Sequence, residues 1–103
     1  MGFDILAASQ AAVADRTAKL IDLAHKCGAV RQAGGFATVF AHRVLDQVAK
    51  LGVDEFDDAV EAAFNDLSSA DKARGDLLKT GADAARAALA WAERAVDKQP
   101  NKK

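Results

Sequence analysis

Two histidines and one cysteine are the side chains of this 103-residue chain that most readily do chemistry near neutral pH. His42 lies in the stretch FATVFAHRVLDQVAKLG, residues 36–52, whose apolar residues recur at helical spacing. On a helical projection His42 points roughly 170° away from the centre of the apolar stripe, and Asp46 follows one turn later on the same side. We therefore expect His42 to be exposed to solvent, with Asp46 as its nearest carboxylate.

The sequence around His42 resembles the phosphorylated helix of histidine phosphotransfer domains. The resemblance rests on AHRV at residues 41–44 and on the Leu–Gly pair at residues 51–52. In that family a histidine follows an alanine, a hydrophobic–glycine pair closes the helix, and the fold is a four-helix bundle. The resemblance implies that His42 accepts a phosphoryl group. The chain has Leu45 and Asp46 where the family usually has a lysine that neutralises the phosphoryl group and a glycine that admits the receiver domain, and an aspartate would repel a phosphoryl group.

His25 and Cys27 are close enough in sequence to suggest a metal or catalytic pair. On a helix, however, residues two positions apart point to nearly opposite sides, so they cannot bind one ion together. Cys27 lies on the apolar side of its helix, which favours a buried and inert thiol. The chain has no second cysteine and no His-x-x-x-His spacing, so we predict neither a metal site nor a cofactor.

The glycine pair Gly34–Gly35 precedes a predicted helix and has Arg31 nearby. Such a pair can expose backbone N–H groups to an anion at the start of a helix. The chain contains neither a GxGxxG pattern nor a GK[ST] loop. We therefore predict that the pair serves as the chain reversal between the first two long helices.

Helical periodicity extends over most of the chain, and no stretch alternates as a strand would. The predicted helices occupy residues 4–27, residues 36–51, the stretch that follows Asp54, and residues 76–98. Gly28 and Gly52 are expected to end the first two, Asp54 to cap the third, and Ser68 or Ser69 to cap the next helical segment. We predict an all-α fold, a small antiparallel bundle of four helices formed by residues 1–98 as one domain, with a short polar tail at residues 99–103.

Composition and charge exclude several classes of function. The net charge of −1 lacks the basic footprint of a nucleic-acid-binding protein, so we predict no nucleic-acid partner. The apolar runs are shorter than a membrane span needs, and the first residues lack the positive start of a signal peptide. No nucleophile has a base beside it and no carboxylates are paired around a pocket. These features predict a cytoplasmic protein without a membrane partner and without enzymatic activity.

Acidic residues are concentrated in one segment. Residues 54–71 carry seven acids and no lysine or arginine, whereas residues 1–53 carry a net charge of +2 and residues 72–103 a net charge of +4. Asp57, Asp58 and Glu61 are expected on the polar face of the third helix. This face is either plain solvated surface or a docking surface for a basic partner, including the basic fourth helix of a second copy.

The fourth long helix has a face of small residues centred on Ala88, with the only tryptophan, Trp91, at its edge. A helix that packs on such a face must approach closely. It could be the first helix of the same chain or a helix of a second chain. A tryptophan at this edge suits an interface anchor or a lid on the core. From these patterns we predict a self-associating protein-interaction module, with phosphotransfer by His42 as the alternative.

Overall fold

The computed structural model describes residues 15–98, and the part of the chain so described is entirely helical or turn, without a strand. The helices are α1 (15–25), α2 (Gly28–Ala33), α3 (Gly35–Leu51), α4 (Phe56–Asn65), α5 (Ser69–Lys72) and α6 (Gly75–Lys98). The predicted all-α fold is confirmed, and α1, α3, α4 and α6 are its four long helices. Predictions for the beginning of the first helix, including its alanines at positions 7, 8, 11 and 12, and for the polar tail lie outside the described residues.

Helices α1 and α3 run antiparallel. Thr17 and Ala18 in α1 line one shallow depression together with Leu51 and Gly52 at the end of α3. His25, the last residue of α1, instead contacts the first half of α3. The short connection through α2 therefore reverses the chain, as expected for neighbouring helices of a bundle.

Helices α4 and α6 are also antiparallel. The Arg86 guanidinium, in the middle of α6, lies 3.3 Å from the Asp57 carboxylate near the start of α4. At the other end, the ammonium of Lys72, shortly before α6, lies 5.6 Å from the ring centre of Phe64 near the end of α4. Arg16, at the start of α1, lies 3.2 Å from Asp97 near the end of α6, so these two helices are antiparallel as well. The order of the four long helices is therefore up, down, up, down.

The core is centred on α3, which packs against α4 and α6. Its predicted apolar stripe is buried in the middle at Phe40, Val44 and Val48. The stripe weakens at its ends, because Phe36 is only half-buried and Leu51 is exposed. The largest fully buried side chains of the described residues are Phe40, Leu20, Leu45, Val30, Val44 and Val48. The burial of apolar side chains such as these is the main contribution to the stability of a small domain.

The small-residue face of α6 packs inside the chain. A Cβ atom added at Gly81 would lie only 2.6 Å from the backbone oxygen of Ala37 in α3, so the two helices touch there almost backbone to backbone. Ala85, Ala88 and Ala92 continue this face and have no exposed surface. The close partner that the sequence left open is therefore α3 and its neighbours in the same chain.

Two glycines at the start of α3 make the predicted chain reversal. Gly34 has φ +82° and Gly35 has φ +51°, a backbone region that residues with a side chain rarely adopt. The Gly34 N–H donates to Oγ1 of Thr38 over 2.8 Å, and that hydroxyl donates to the Val30 carbonyl over 2.6 Å. Thr38 therefore ties α2 to α3 and occupies one of the N–H groups at the start of α3.

Three helix boundaries differ from or refine the sequence prediction. Gly28 does not end the first helix, since the chain leaves it after residue 25 and Gly28 begins α2. Asp54 does not cap the third helix, because it lies inside a 3₁₀ turn, Val53–Glu55, and no side chain caps α4. Ser68 does cap α5, where its Oγ accepts from the Asp71 N–H over 3.2 Å.

A helix that crosses a lipid bilayer needs about 20 predominantly apolar residues. Helix α6 has 24 residues, which is long enough, but charged residues recur along its exposed side. None of the helices in residues 15–98 combines the length and the apolar character that crossing a membrane requires.

Candidate functional site

His25 and His42 meet across the α1–α3 contact. Their Nδ1 atoms are 2.7 Å apart, and their ring centres are 5.0 Å apart with 20° between the ring planes. The centre separation exceeds the nitrogen separation by about the radii of two rings, so the nitrogens lie on the line between the centres. The rings therefore meet edge to edge, which is the geometry of an N–H···N hydrogen bond rather than of face-to-face stacking.

Asp46 extends this contact into a chain of three side chains. Its Oδ1 lies 3.2 Å from Nε2 of His25. A carboxylate only accepts, so His25 must carry its proton on Nε2 and present a bare Nδ1 to His42. His42 must then donate from its own Nδ1, which leaves its Nε2 as the nitrogen without a proton. We assign these tautomers from the hydrogen-bond network.

The surroundings of His42 differ from the sequence prediction. His42 is half-buried rather than exposed, and the carboxylate of Asp46 pairs with His25 instead. Burial lowers the pKa of His42 from its ordinary value of 6.5, the nearby His25 lowers it further, and Asp46 raises it. The helical projection placed His42 correctly away from the apolar stripe of α3, but it could not show that α1 covers that side.

The three linked side chains do not form a recognisable metal site. Asp46 binds His25 through Nε2, whereas His42 faces the opposite nitrogen of the same ring. Cys27 is buried in the core cluster. Among residues 15–98 no three His, Cys, Asp or Glu side chains converge well enough to hold an ion. The chain of hydrogen bonds can instead move or share a proton between α1 and α3.

Five carboxylates of the 3₁₀ turn and the start of α4 form one exposed group, which we call the acidic surface. Its members are Asp54, Glu55, Asp57, Asp58 and Glu61. The three residues predicted to interact with a partner belong to it, and the side chain of Asp57 is 93% exposed. The structure therefore displays these carboxylates to solvent together, as a partner would require.

The position of Arg86 indicates which kind of group the acidic surface can bind. The Arg86 guanidinium lies 4.5 Å from the ring centre of Phe56 and 3.3 Å from the Asp57 carboxylate. Together with Val53 these residues line a shallow depression edged by the acids. An aromatic ring below a carboxylate suits a guanidinium or ammonium group, because the ring face and the carboxylate both attract a cation.

Trp91 and Ala88, the other two residues predicted to interact, occupy different environments. Trp91 is 39% exposed, and its neighbours one turn away on the same face, Ala87 and Arg94, are exposed too. Ala88 has no exposed surface and contributes to the core. Trp91 is therefore available to a partner in this structure, whereas Ala88 supports the fold.

The class that these observations define is a small all-α helical bundle. Compared with models of protein families, with curated proteins and with solved structures, the chain gives no match. Any function proposed for it therefore depends on the contacts, burial and charges of residues 15–98.

Proposed function

We propose that this chain is a non-enzymatic protein-interaction module of the cytoplasm that associates with a second copy of itself through the acidic surface. The observation that carries the proposal is the grouping of five exposed carboxylates, four of which line a depression that already holds one guanidinium. Among residues 15–98, Arg86 alone pairs with these carboxylates, which leaves most of their negative charge without a partner in that part of the chain. Such a surface attracts a basic one and raises the rate of encounter.

The second copy is the occupant that charge complementarity favours. Residues 54–71 carry a net charge of −7, whereas residues 72–103 carry +4 and residues 1–53 carry +2. Two copies can therefore place the acidic segment of each against the basic part of the other. A pair of reciprocal contacts of this kind closes into a twofold dimer. The exposed Trp91 supplies an aromatic side chain that a dimer contact can bury.

Neutralising part of the acidic surface is expected to weaken association. The variant combines Asp57→Asn, Asp58→Asn and Glu61→Gln, which keep the shape of each side chain and remove its charge. In a twofold dimer these substitutions remove six exposed charges, and exposed ion pairs contribute roughly 0.2–1 kcal/mol each, so we expect a dimer that is weaker by at least about tenfold, mainly through slower association. Sedimentation equilibrium gives the affinity and stopped-flow fluorescence of Trp91 gives the rate.

A matched variant separates position from net charge. Asp22→Asn, Asp83→Asn and Glu93→Gln change the net charge by the same amount at exposed sites outside the acidic surface. We expect this control to dimerise at least as tightly as the unmodified chain, because it leaves the acidic surface intact and makes the basic segments more basic. Equal affinities for all three proteins would contradict the proposal, and so would weakening that is just as large in the control. Association only with added basic protein, and not between copies, would contradict self-association.

One observation favours a second candidate, phosphotransfer by His42. The tautomer imposed by His25 leaves Nε2 of His42 unprotonated, and in residues 15–98 this nitrogen makes no hydrogen bond. An unprotonated ring nitrogen is the form of histidine that attacks an electrophile. Asp46 nevertheless remains one turn away, and its negative charge opposes the approach of a phosphoryl group.

We expect His42 to remain unmodified when the protein is incubated with acetyl phosphate or with a phosphorylated receiver domain. The reason is the negative charge of Asp46 and the absence of a lysine at position 45. The measurement is intact mass at neutral pH and after brief acid treatment. A mass gain of one phosphoryl group that acid removes, and that is absent in His42→Gln but present in His25→Gln, would establish the second candidate instead.

A further inference from the structure

We propose that His25 and His42 form a proton-operated latch between α1 and α3, which stays closed while the pair carries at most one positive charge and opens when it takes up two. The latch does not depend on self-association through the acidic surface. It rests on the 2.7 Å contact between the two Nδ1 atoms and on the 3.2 Å contact between His25 and Asp46.

The number of protons decides whether the contact can exist. With no added proton, His42 donates from Nδ1 to the bare Nδ1 of His25. One added proton can bind Nε2 of His42 without disturbing this bond. A second proton would have to go to Nδ1 of His25, and two N–H groups would then point at each other across 2.7 Å. Repulsion of two charges and of two donors would drive the rings apart and loosen α1 from α3.

The charged side chains near the two histidines are paired with one another or exposed to solvent, so the histidine pair is the group expected to take up protons here. Lys26, directly after α1, pairs with Asp22 of α1 over 3.2 Å. On α3 the Arg43 side chain is exposed beside the depression shared with α4. The only charged residue of α2, Arg31, is exposed. The charged side chains of α4 and of α6 up to Asp97 are exposed as well, and none of the charged residues in the described chain is buried.

Whether stability rises or falls with pH depends on how many protons the folded and the unfolded chain bind. Burial and the neighbouring His25 hold the pKa of His42 below its ordinary value of 6.5, so the folded chain takes up fewer protons than the unfolded chain as the pH falls. Stability therefore rises with pH wherever the unfolded chain holds more protons. Below the unfolded pKa of 6.5 the unfolded chain binds a proton on each histidine, whereas the closed pair has room for only one, so the contribution of the latch is fully present above that pH and is lost as the pH falls below it.

The latch predicts a loss of stability in a narrow pH range. An unfolded histidine is about nine-tenths protonated at pH ~5.5, so a folded state that refuses one proton loses up to about tenfold in its folding equilibrium constant between pH ~7 and ~5.5. The measurement is urea unfolding at several pH values. These two histidines are the only ones in the chain, so few other groups titrate in this range. Hydrogen exchange, corrected for its intrinsic pH dependence, should accelerate in α1 more than in α4 and α6.

His42→Gln is the informative variant, because its amide can donate to His25 or accept from it and so fits either protonation state. We expect its folding constant to change less than twofold over the same pH range. Nitrogen NMR of the unmodified protein near pH ~7.5 should show a proton on Nδ1 of His42 and on Nε2 of His25. The latch is contradicted by a flat pH profile, by an unchanged profile in His42→Gln, by equal acceleration of exchange in all helices, or by protons on Nε2 of both rings.

Discussion

Gly81→Ala is expected to destabilise the fold by about 1–2 kcal/mol, although alanine is the better helix former. Alanine gains up to ~1 kcal/mol over glycine inside a helix. At this position, however, its Cβ would lie 2.6 Å from the Ala37 oxygen and 3.2 Å from Cβ of Phe40. A backbone oxygen cannot turn aside, so α6 must move away from α3, and overpacking of this kind typically costs ~1–3 kcal/mol and occasionally more. Urea and thermal unfolding measure the change.

Gly75→Ala is the control within the same helix. A Cβ atom at Gly75 would meet nothing within 4 Å, so only the gain in helix propensity remains. We expect this variant to be as stable as the unmodified protein or more stable by a few tenths of a kcal/mol. The two substitutions should therefore change the free energy of unfolding in opposite directions. If Gly81→Ala stabilises the protein as Gly75→Ala does, the close contact between α3 and α6 does not exist.

Ala88→Leu is the second change for which we expect a large effect. Ala88 has no exposed surface, and leucine adds three carbon atoms without lowering helix propensity. Overpacking of the core should cost ~1–3 kcal/mol, a large fraction of the ~5–15 kcal/mol that holds a typical domain together. Thermal unfolding of the monomer should shift downward by at least several degrees.

Ala90→Leu provides the comparison, since Ala90 is exposed on the same helix two residues later. We expect it to be nearly neutral. Sedimentation analysis of both variants distinguishes a contact within the chain from a contact between chains. A monomer that unfolds earlier in Ala88→Leu agrees with the structure. A fully stable monomer that has merely lost its ability to dimerise would mean that the small-residue face of α6 packs between chains.

The sequence predicted the helices and their buried faces because both depend on local periodicity. The apolar stripe of α3 is buried at Phe40, Val44 and Val48, Gly52 closes that helix, and Ser68, one of the two serines predicted to do so, caps α5. Helix ends were harder to predict, because several residues can satisfy the same terminal N–H groups. Asp54 has the right chemistry for a cap, but the 3₁₀ turn places it before the helix begins.

The contact between His25 and His42 could not be predicted from either helix alone. Each histidine lies away from the centre of its own apolar stripe, and that position is compatible with solvent or with a neighbouring helix. The two residues are 17 positions apart, and their meeting depends on how α1 crosses α3. Predicting the pair would have required knowing how α1 and α3 pack against each other. The acidic surface was easier to predict from the sequence, because its members are neighbours in the chain.

Self-association of the unmodified protein at low salt is the most direct test of the proposed function. Sedimentation equilibrium between ~10 μM and ~1 mM, at about 50 mM and about 500 mM salt, measures both the affinity and its dependence on screening. We predict an average mass that rises with concentration from the 10.8 kDa of one chain toward twice that value at low salt, and a weaker rise at high salt. A mass of 10.8 kDa at every concentration, or association that is equally strong at both salt concentrations, would contradict docking through the acidic surface.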